Sequence, residues 1–231
     1  SLTIGLCLMY LTGLLYNLPN VVLAAIVLVA VKGLINIGEL RHVWRVSRFE
    51  FGVSMVAFGG VLLLGILKGV IVAVLVSMLL LIRRAAHPHV AFLGHIPGTR
   101  SYSDIERNPD NEAVPGVLMF RVEASLLYFN VEHVRDAVWQ KVRSAAGPLS
   151  LMVCDLSTSP IVDLAGARML AKLHEEFQAA GIRLRLVAAH AAVRDILRAE
   201  GLEENVGYFG RRITVADVID EFRGRPGNAA A

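Results

Sequence analysis

Cysteine is scarce in this chain of 231 residues, which has only Cys7, in an apolar run, and Cys154, in an expected buried strand. Their environments differ too much to suggest a disulfide or a metal site. Charged residues make up 19% and aromatics 7%, against 55% hydrophobic residues and a mean hydropathy of +0.56. That balance excludes an ordinary soluble protein. Acidic residues are nearly missing before Ala86, two against seven Lys and Arg, which leaves sixteen basic and eighteen acidic groups for the remainder. A near-neutral second part without a basic stripe has no means of gripping phosphates, so nucleic acid is excluded as a partner.

The seven histidines, His42, His87, His89, His95, His133, His174 and His190, show no ligand spacing such as an i, i+4 pair with a carboxylate on one helix. Glycine-rich phosphate cradles and nucleophile elbows are missing as well. The expectation is no enzyme: no catalytic residue, no metal and no cofactor. A hydrolase on an α/β scaffold stays only nominal, because no nucleophile and base stand together. The opening stretch lacks the basic start and small-residue cleavage site of a secretory signal. With no initiator Met, the chain is expected to begin inside a longer protein.

What is present is apolar length. Leu2 to Leu18 supplies about 17 residues, the lower limit for crossing a hydrocarbon core. After the turn Asn17-Leu18-Pro19-Asn20, Val21 to Ile37 reads as a second span, with Pro19 suited to its first turn. Glu39 to Arg48 reads as a short loop holding three arginines and the interfacial Trp44, and Arg83-Arg84 closes the apolar part. Both basic clusters should face the cytoplasm. Phe51 to Ile82 between them is long enough for two short helices meeting near Gly65-Ile66-Leu67-Lys68-Gly69. Glycines 59, 60, 65 and 69 fit either close helix packing or the interrupted helices of inverted-repeat transporters. Lys68, near the hairpin tip, is read as snorkelling to the outer interface rather than as an intramembrane functional cation.

Beyond Arg83-Arg84-Ala85-Ala86-His87-Pro88 the pattern becomes short strands alternating with amphipathic helices, an α/β layer with helices mainly against one face. Strands are expected at Val90–Leu93, Val117–Val122, Leu126–Phe129, Leu149–Cys154 and Ile182–Ala188, with a long loop between the first two. Helices are expected at Val131–Ser144, from just after Asp163 to Ala180, at Ala192–Glu200 and at Val215–Phe222.

Several of these segments carry a resemblance. Pro19-Asn20-Val21-Val22-Leu23-Ala24-Ala25-Ile26, Trp44-Arg45-Val46-Ser47-Arg48, the glycine-split hairpin and the run His89 to Thr99 resemble, in that order, the carboxy-terminal part of a SulP-family anion transporter. Asp155-Leu156-Ser157 through Asp163-Leu164-Ala165-Gly166 is similar to the signature loop of its STAS domain. The resemblance implies membrane helices at residues 1–84, ending an inverted-repeat transporter domain, then an α/β STAS domain at 89–222 and a disordered tail at 223–231.

It further implies a multi-pass protein of the plasma (inner) membrane with a cytoplasmic STAS domain that regulates transport or assembly. The lipid bilayer, a small inorganic anion such as sulfate or bicarbonate, and a second copy in a homodimer would be its partners. Anion-binding residues are expected upstream of Ser1, so none is named. The alternative is a membrane-tethered STAS signalling module that binds a protein or nucleotide and transports nothing.

Within the loop, the regulatory candidates are Asp155, Ser157, Asp163 and Gly166. In STAS domains of anti-sigma factor antagonists a phosphorylated Ser or Thr follows the second aspartate. Here that position is Leu164, which cannot accept phosphate. Asp155 ends a strand and can accept loop N–H groups, while Asp163 precedes a helix it can cap. Gly166 allows the first turn of that helix to pack closely on the sheet. Ser157, Thr158 and Ser159 read as turn residues that bond the loop backbone.

Overall fold

The computed structural model describes residues 20–32, 36–210 and 212–224, and the chain divides into two compact units, Ser1–Met78 and Leu79–Ala231. The expected first span, Cys7 and Pro19 lie outside the described residues, as do most of the expected tail and part of the loop ahead of the last helix.

In the first unit α1 (Asn20–Lys32) begins one residue before the expected second span and ends within it. The basic stretch expected as a loop is instead a helix, α2 (Ile37–Val46). Its ends explain why. Asn36 Oδ1 accepts from the Glu39 N–H at 3.1 Å and starts the helix, and Ser47 stops it with its own N–H on Val43 O. The Ser47 hydroxyl then accepts from the Glu50 N–H at 3.2 Å and begins α3 (Arg48–Leu64). Short polar side chains satisfying free helix-end amides do this throughout proteins.

The expected break falls at Gly65, with φ of 82°, and α4 (Ile66–Ala86) follows with 21 residues, long and apolar enough to cross a membrane. Large apolar side chains along α1, α3 and α4 are exposed, Leu63 by 86%. Lys68 is exposed too. The corner is tight, because a Cβ on Gly69 would collide with the Val61 backbone, and one on Gly60 would sit 3.4 Å from Gly69 O. Gly69→Val is therefore expected to cut the yield of monodisperse, membrane-inserted chain several-fold in detergent chromatography. Gly59→Ala, whose Cβ meets nothing within 4 Å, is the silent control.

The second unit is built on a mixed sheet. β1 (Val90–His95) pairs antiparallel with β2 (Tyr102–Asp104) and with β3 (Val117–Val122). β3, β4 (Leu151–Asp155) and β5 (Arg183–Val187) run parallel, giving the order β2-β1-β3-β4-β5. Phe120 and Cys154 are register partners, as are Arg121 and Asp155.

Because successive strand residues point to opposite faces, Phe120, Val122, Met152, Cys154, Leu184 and Leu186 form one core. That core is shared with Val134 and Val138 of α5 (Val131–Arg143) and Leu170, Leu173 and Phe177 of α6 (Leu164–Ala179). Helices α7 (Ala191–Ala199) and α8 (Leu202–Val206) join the same side. The other face, with Ala91, Met119 and Val153, is covered by Val218 and Ile219 of α9 (Val215–Phe222). Each such fully buried side chain contributes roughly 1.5 to 3 kcal/mol.

Two short elements were not expected, β2 inside the long loop and α8 after Gly201, whose φ is 72°. The strand expected at Leu126–Phe129 is not one. Leu126 forms a single parallel bridge with Val162, and the amides that follow bond to side chains instead of to a neighbouring strand.

Candidate functional site

The loop after β4 brings all four expected residues into one small region. Asp155, at the end of β4, is buried, and its Oδ1 accepts from the Ser157 N–H at 2.9 Å. Its Oδ2 lies 3.7 Å from the guanidinium of Arg121, the register partner on β3. The chain then turns back through Thr158 and Ser159 toward the end of β3. Thr158 Oγ1 donates to Val122 O at 2.8 Å, and buried Ser159 donates to Ala124 O at 2.9 Å. Ser157 itself is exposed, and its carbonyl oxygen lies 3.0 Å from His190 Nε2.

Asp163 does more than cap. One carboxylate oxygen accepts from the Gly166 N–H at 2.8 Å and starts α6, while the other accepts from the Tyr128 N–H at 2.8 Å. The negative charge also sits at the positive end of the α6 dipole. Gly166 lies against Leu126, so close that a Cβ would be 2.8 Å from Leu126 O.

Buried Asn130 completes the clasp, accepting from the Leu127 N–H at 3.0 Å and donating to Ser125 O at 2.9 Å. Sequence reasoning missed Tyr128, Asn130, Arg121 and His190. Asn130 alone carried a signal, a polar residue directly before the apolar-periodic run of α5.

The arrangement binds backbone to backbone and leaves three large apolar side chains outside. Tyr128, Ile161 and Leu164 are exposed by 73%, 58% and 48%. Leu164 has no hydroxyl, so the loop presents an apolar knob where a phosphate acceptor could otherwise stand. Ser157→Ala is expected to leave stability within about 0.5 kcal/mol, as for other surface changes. Ser159→Ala leaves the half-buried Ala124 O without its partner and should cost about 1 to 2 kcal/mol, read by denaturant titration.

Elsewhere in this unit, a cavity of about 640 Å³ at the start of β5 is lined by His174, Gln178, Arg183, Arg185, Glu204 and Phe222 among others. Two of its charged groups neutralise each other, since Arg185 lies 3.5 Å from Glu221. Burial pushes the Cys154 thiol far above its ordinary range, so it is inert and not a nucleophile. Among the described residues no three His, Cys, Asp or Glu side chains gather in a metal-holding group.

Apolar helices followed by a mixed sheet with helices on both faces, and by a capped loop joining β4 to α6, define a membrane protein carrying a STAS domain. The sulfate permease family matches residues 1–57 and the STAS domain family matches residues 108–220. The chain belongs to the SulP family and corresponds to the STAS-containing carboxy-terminal part of its members.

Low affinity sulfate transporter 3 of Stylosanthes hamata is 32% identical over 95% of this chain and 36% of its own length. A probable sulfate transporter of Mycobacterium tuberculosis is 32% identical over 94% of this chain and 39% of its own. The chain thus spans somewhat over a third of the length of these curated relatives. In structure it resembles the murine solute carrier 26 family member A9 anion transporter in the inward-facing state, with a TM-score of 0.67 and 26% identity over 88% of this chain and 33% of that one.

Proposed function

We propose that this chain is part of a secondary active anion transporter of the sulfate or bicarbonate type, and that its STAS domain lies on the cytoplasmic side of the plasma membrane and regulates transport or assembly. The reading also includes a homodimer as the working form. One observation carries it: a sulfate permease segment and a STAS domain follow one another in a single chain whose relatives are named as sulfate transporters.

The physical link between the two parts supports regulation. The last residues of α4 are fastened to α5, the first helix of the STAS domain. Asn130 Nδ2 donates to Ala85 O at 3.4 Å, His133 Nε2 lies 3.2 Å from Pro88 O, and the His87 and His133 rings meet edge to face at 4.9 Å. A helix end held in this way passes a change in the STAS domain to the helix that precedes it. A differential contact worth a few kcal/mol is enough to shift an inward/outward equilibrium. The apolar knob around Leu164, on the loop of Asp155, Ser157, Asp163 and Gly166, is the surface on which a regulating contact would act.

The test is uptake of radiolabelled sulfate and bicarbonate into proteoliposomes by the natural full-length product, compared with the same protein stopped after Ala86. Uptake by the intact protein that changes several-fold on truncation is expected. Absence of uptake of either anion by folded full-length protein would move the assignment to a membrane-tethered signalling module.

A further inference from the structure

We propose that α2 lies along the membrane surface and binds the headgroups of anionic phospholipids through Arg41, Arg45 and Arg48, with Trp44 as its anchor. The inference rests on the membrane reading of residues 20–86 and adds to it a binding surface and a ligand class.

The sequence order sets the geometry. In a helix of ten residues, Ile37, Leu40, Val43 and Trp44 fall at spacings of three and four and so share one face. Arg41 and Arg45 are four apart and flank that face; Arg48 lies beyond the extended Ser47, at the start of α3, and is tied to α2 by its guanidinium standing 5.6 Å from the Trp44 ring centroid. The Asn36 cap starts α2, and Ser47 both ends it and caps α3, so Arg41, Arg45 and Arg48 stand on capped helices and not on a loose basic loop.

No residue of α2 is buried, and Trp44 is 49% exposed. The indole is nonetheless oriented, with its ring edge-on to Phe51 at 4.7 Å and the Arg48 guanidinium 5.6 Å from its centroid. An amphipathic ring held beside arginines is the composition that settles at headgroup depth.

The three guanidinium groups are free for an outside anion. Every ion pair among the described residues lies from His89 onward, so none of these arginines is neutralised by a carboxylate. Guanidinium forks match phosphate oxygens, and clustered basic groups next to a span attract anionic lipid. A lipid fits better than an acidic protein because α3 begins at Arg48 itself. The row therefore stands within one turn of the apolar segment, at the level where headgroups are found.

The test uses the full chain with Trp139→Phe, which leaves Trp44 as the sole indole, reconstituted in mixed vesicles of phosphatidylcholine and phosphatidylglycerol. Bromine on the acyl chains is placed on one lipid or on the other at equal mole fraction. Trp44 fluorescence should be quenched at least about twofold more by brominated phosphatidylglycerol than by brominated phosphatidylcholine. Arg41→Gln, Arg45→Gln and Arg48→Gln together should abolish that preference without reducing quenching by phosphatidylcholine. Equal quenching by both lipids in the parent chain, or none, overturns the proposal.

A separate chain carrying Trp44→Phe, Trp139→Phe and Phe58→Trp reports on α3. Quenching of that indole while Trp44 stays indifferent to headgroup charge sinks only the lipid site. No quenching at either position sinks the membrane reading with it.

Discussion

Gly166→Val is expected to destabilise the STAS domain by about 3 kcal/mol or more, at the upper end of what overpacked cores show. The site has no direction in which to relax. An added Cβ would lie 2.8 Å from Leu126 O, 2.9 Å from Val162 Cγ1 and 3.1 Å from Leu126 Cβ. Both neighbours are pinned, because the Leu126 N–H donates to Ile161 O and Leu126 O accepts from the Asp163 N–H, each at 3.0 Å. Leu126 is also fully buried, so it cannot swing outward.

The thermal midpoint followed by near-ultraviolet circular dichroism should fall by roughly 10 °C for a domain of this size. Gly166→Ala should fall in the same direction but less, since alanine recovers about 1 kcal/mol of helix propensity. Gly147→Ala, with nothing within 4 Å of its Cβ, should not move the midpoint. A Gly166→Val protein with an unchanged midpoint would show that the first turn of α6 does not press on Leu126 and Val162.

Removing Glu176 is expected to cost about 2 kcal/mol, less than the 3 to 5 kcal/mol of a fully buried pair because both partners keep some exposure. The Glu176 carboxylate joins two helices. It accepts from Arg135 Nη2 at 2.6 Å on one oxygen and from Trp139 Nε1 at 2.6 Å on the other. Glu176→Ala leaves the Trp139 indole N–H at the interface of α5 and α6 without its acceptor, and leaves Arg135 only the exposed Glu132 carboxylate at 4.0 Å.

The pH dependence has a definite sign. The Arg135 hydrogen bond, opposed by burial and helped by Trp139, holds the Glu176 carboxyl below its ordinary range. A lowered folded-state pKa means stability that is complete above the unfolded value, about 4.3, and is lost as pH falls through the lower folded one. Asp104 acts in the same direction. Burial raises its pKa, but the His89 hydrogen bond at 2.9 Å, the Glu106 N–H and the charges of His89 and Arg107 together bring it below normal. Urea midpoints measured from pH 6 downward should therefore drop in the acid range, with a shallower fall in Glu176→Gln. An equally steep fall in that variant would assign the acid loss to other carboxylates.

Much of this architecture was legible in the chain. The hairpin break at Gly65 followed from apolar length and glycine position, and Val117–Val122 and Val215–Phe222 fall at the expected bounds. Asp155 ends β4 and Asp163 caps α6 as expected, whereas the close contact of Gly166 is with Leu126 and Val162, outside the sheet it was expected to pack on.

What misled were segments where side chains do the work of backbone. Glu39 to Arg48 looks like a loop by charge, yet Asn36 and Ser47 supply the ends of a helix whose apolar residues lie on one side. Leu126 to Phe129 looks like a strand by composition, but the Leu127 and Tyr128 amides are taken by Asn130 and Asp163. Such pairings span up to 35 residues of sequence and leave no local periodicity to read. β2, three residues long, and α8, five residues long, are too short for any period to show.

Asp163 holds the amide of its own helix with one oxygen and the amide of Tyr128, from the segment after β3, with the other. The carboxylate therefore couples the two segments. An opening that displaces it frees Tyr128 and the first turn of α6 together, so through that opening their amide protons would exchange with solvent as one kinetic unit. The apolar knob of Tyr128, Ile161 and Leu164 rides on that unit, and a contact made there would slow exchange at the helix start as well as at the loop.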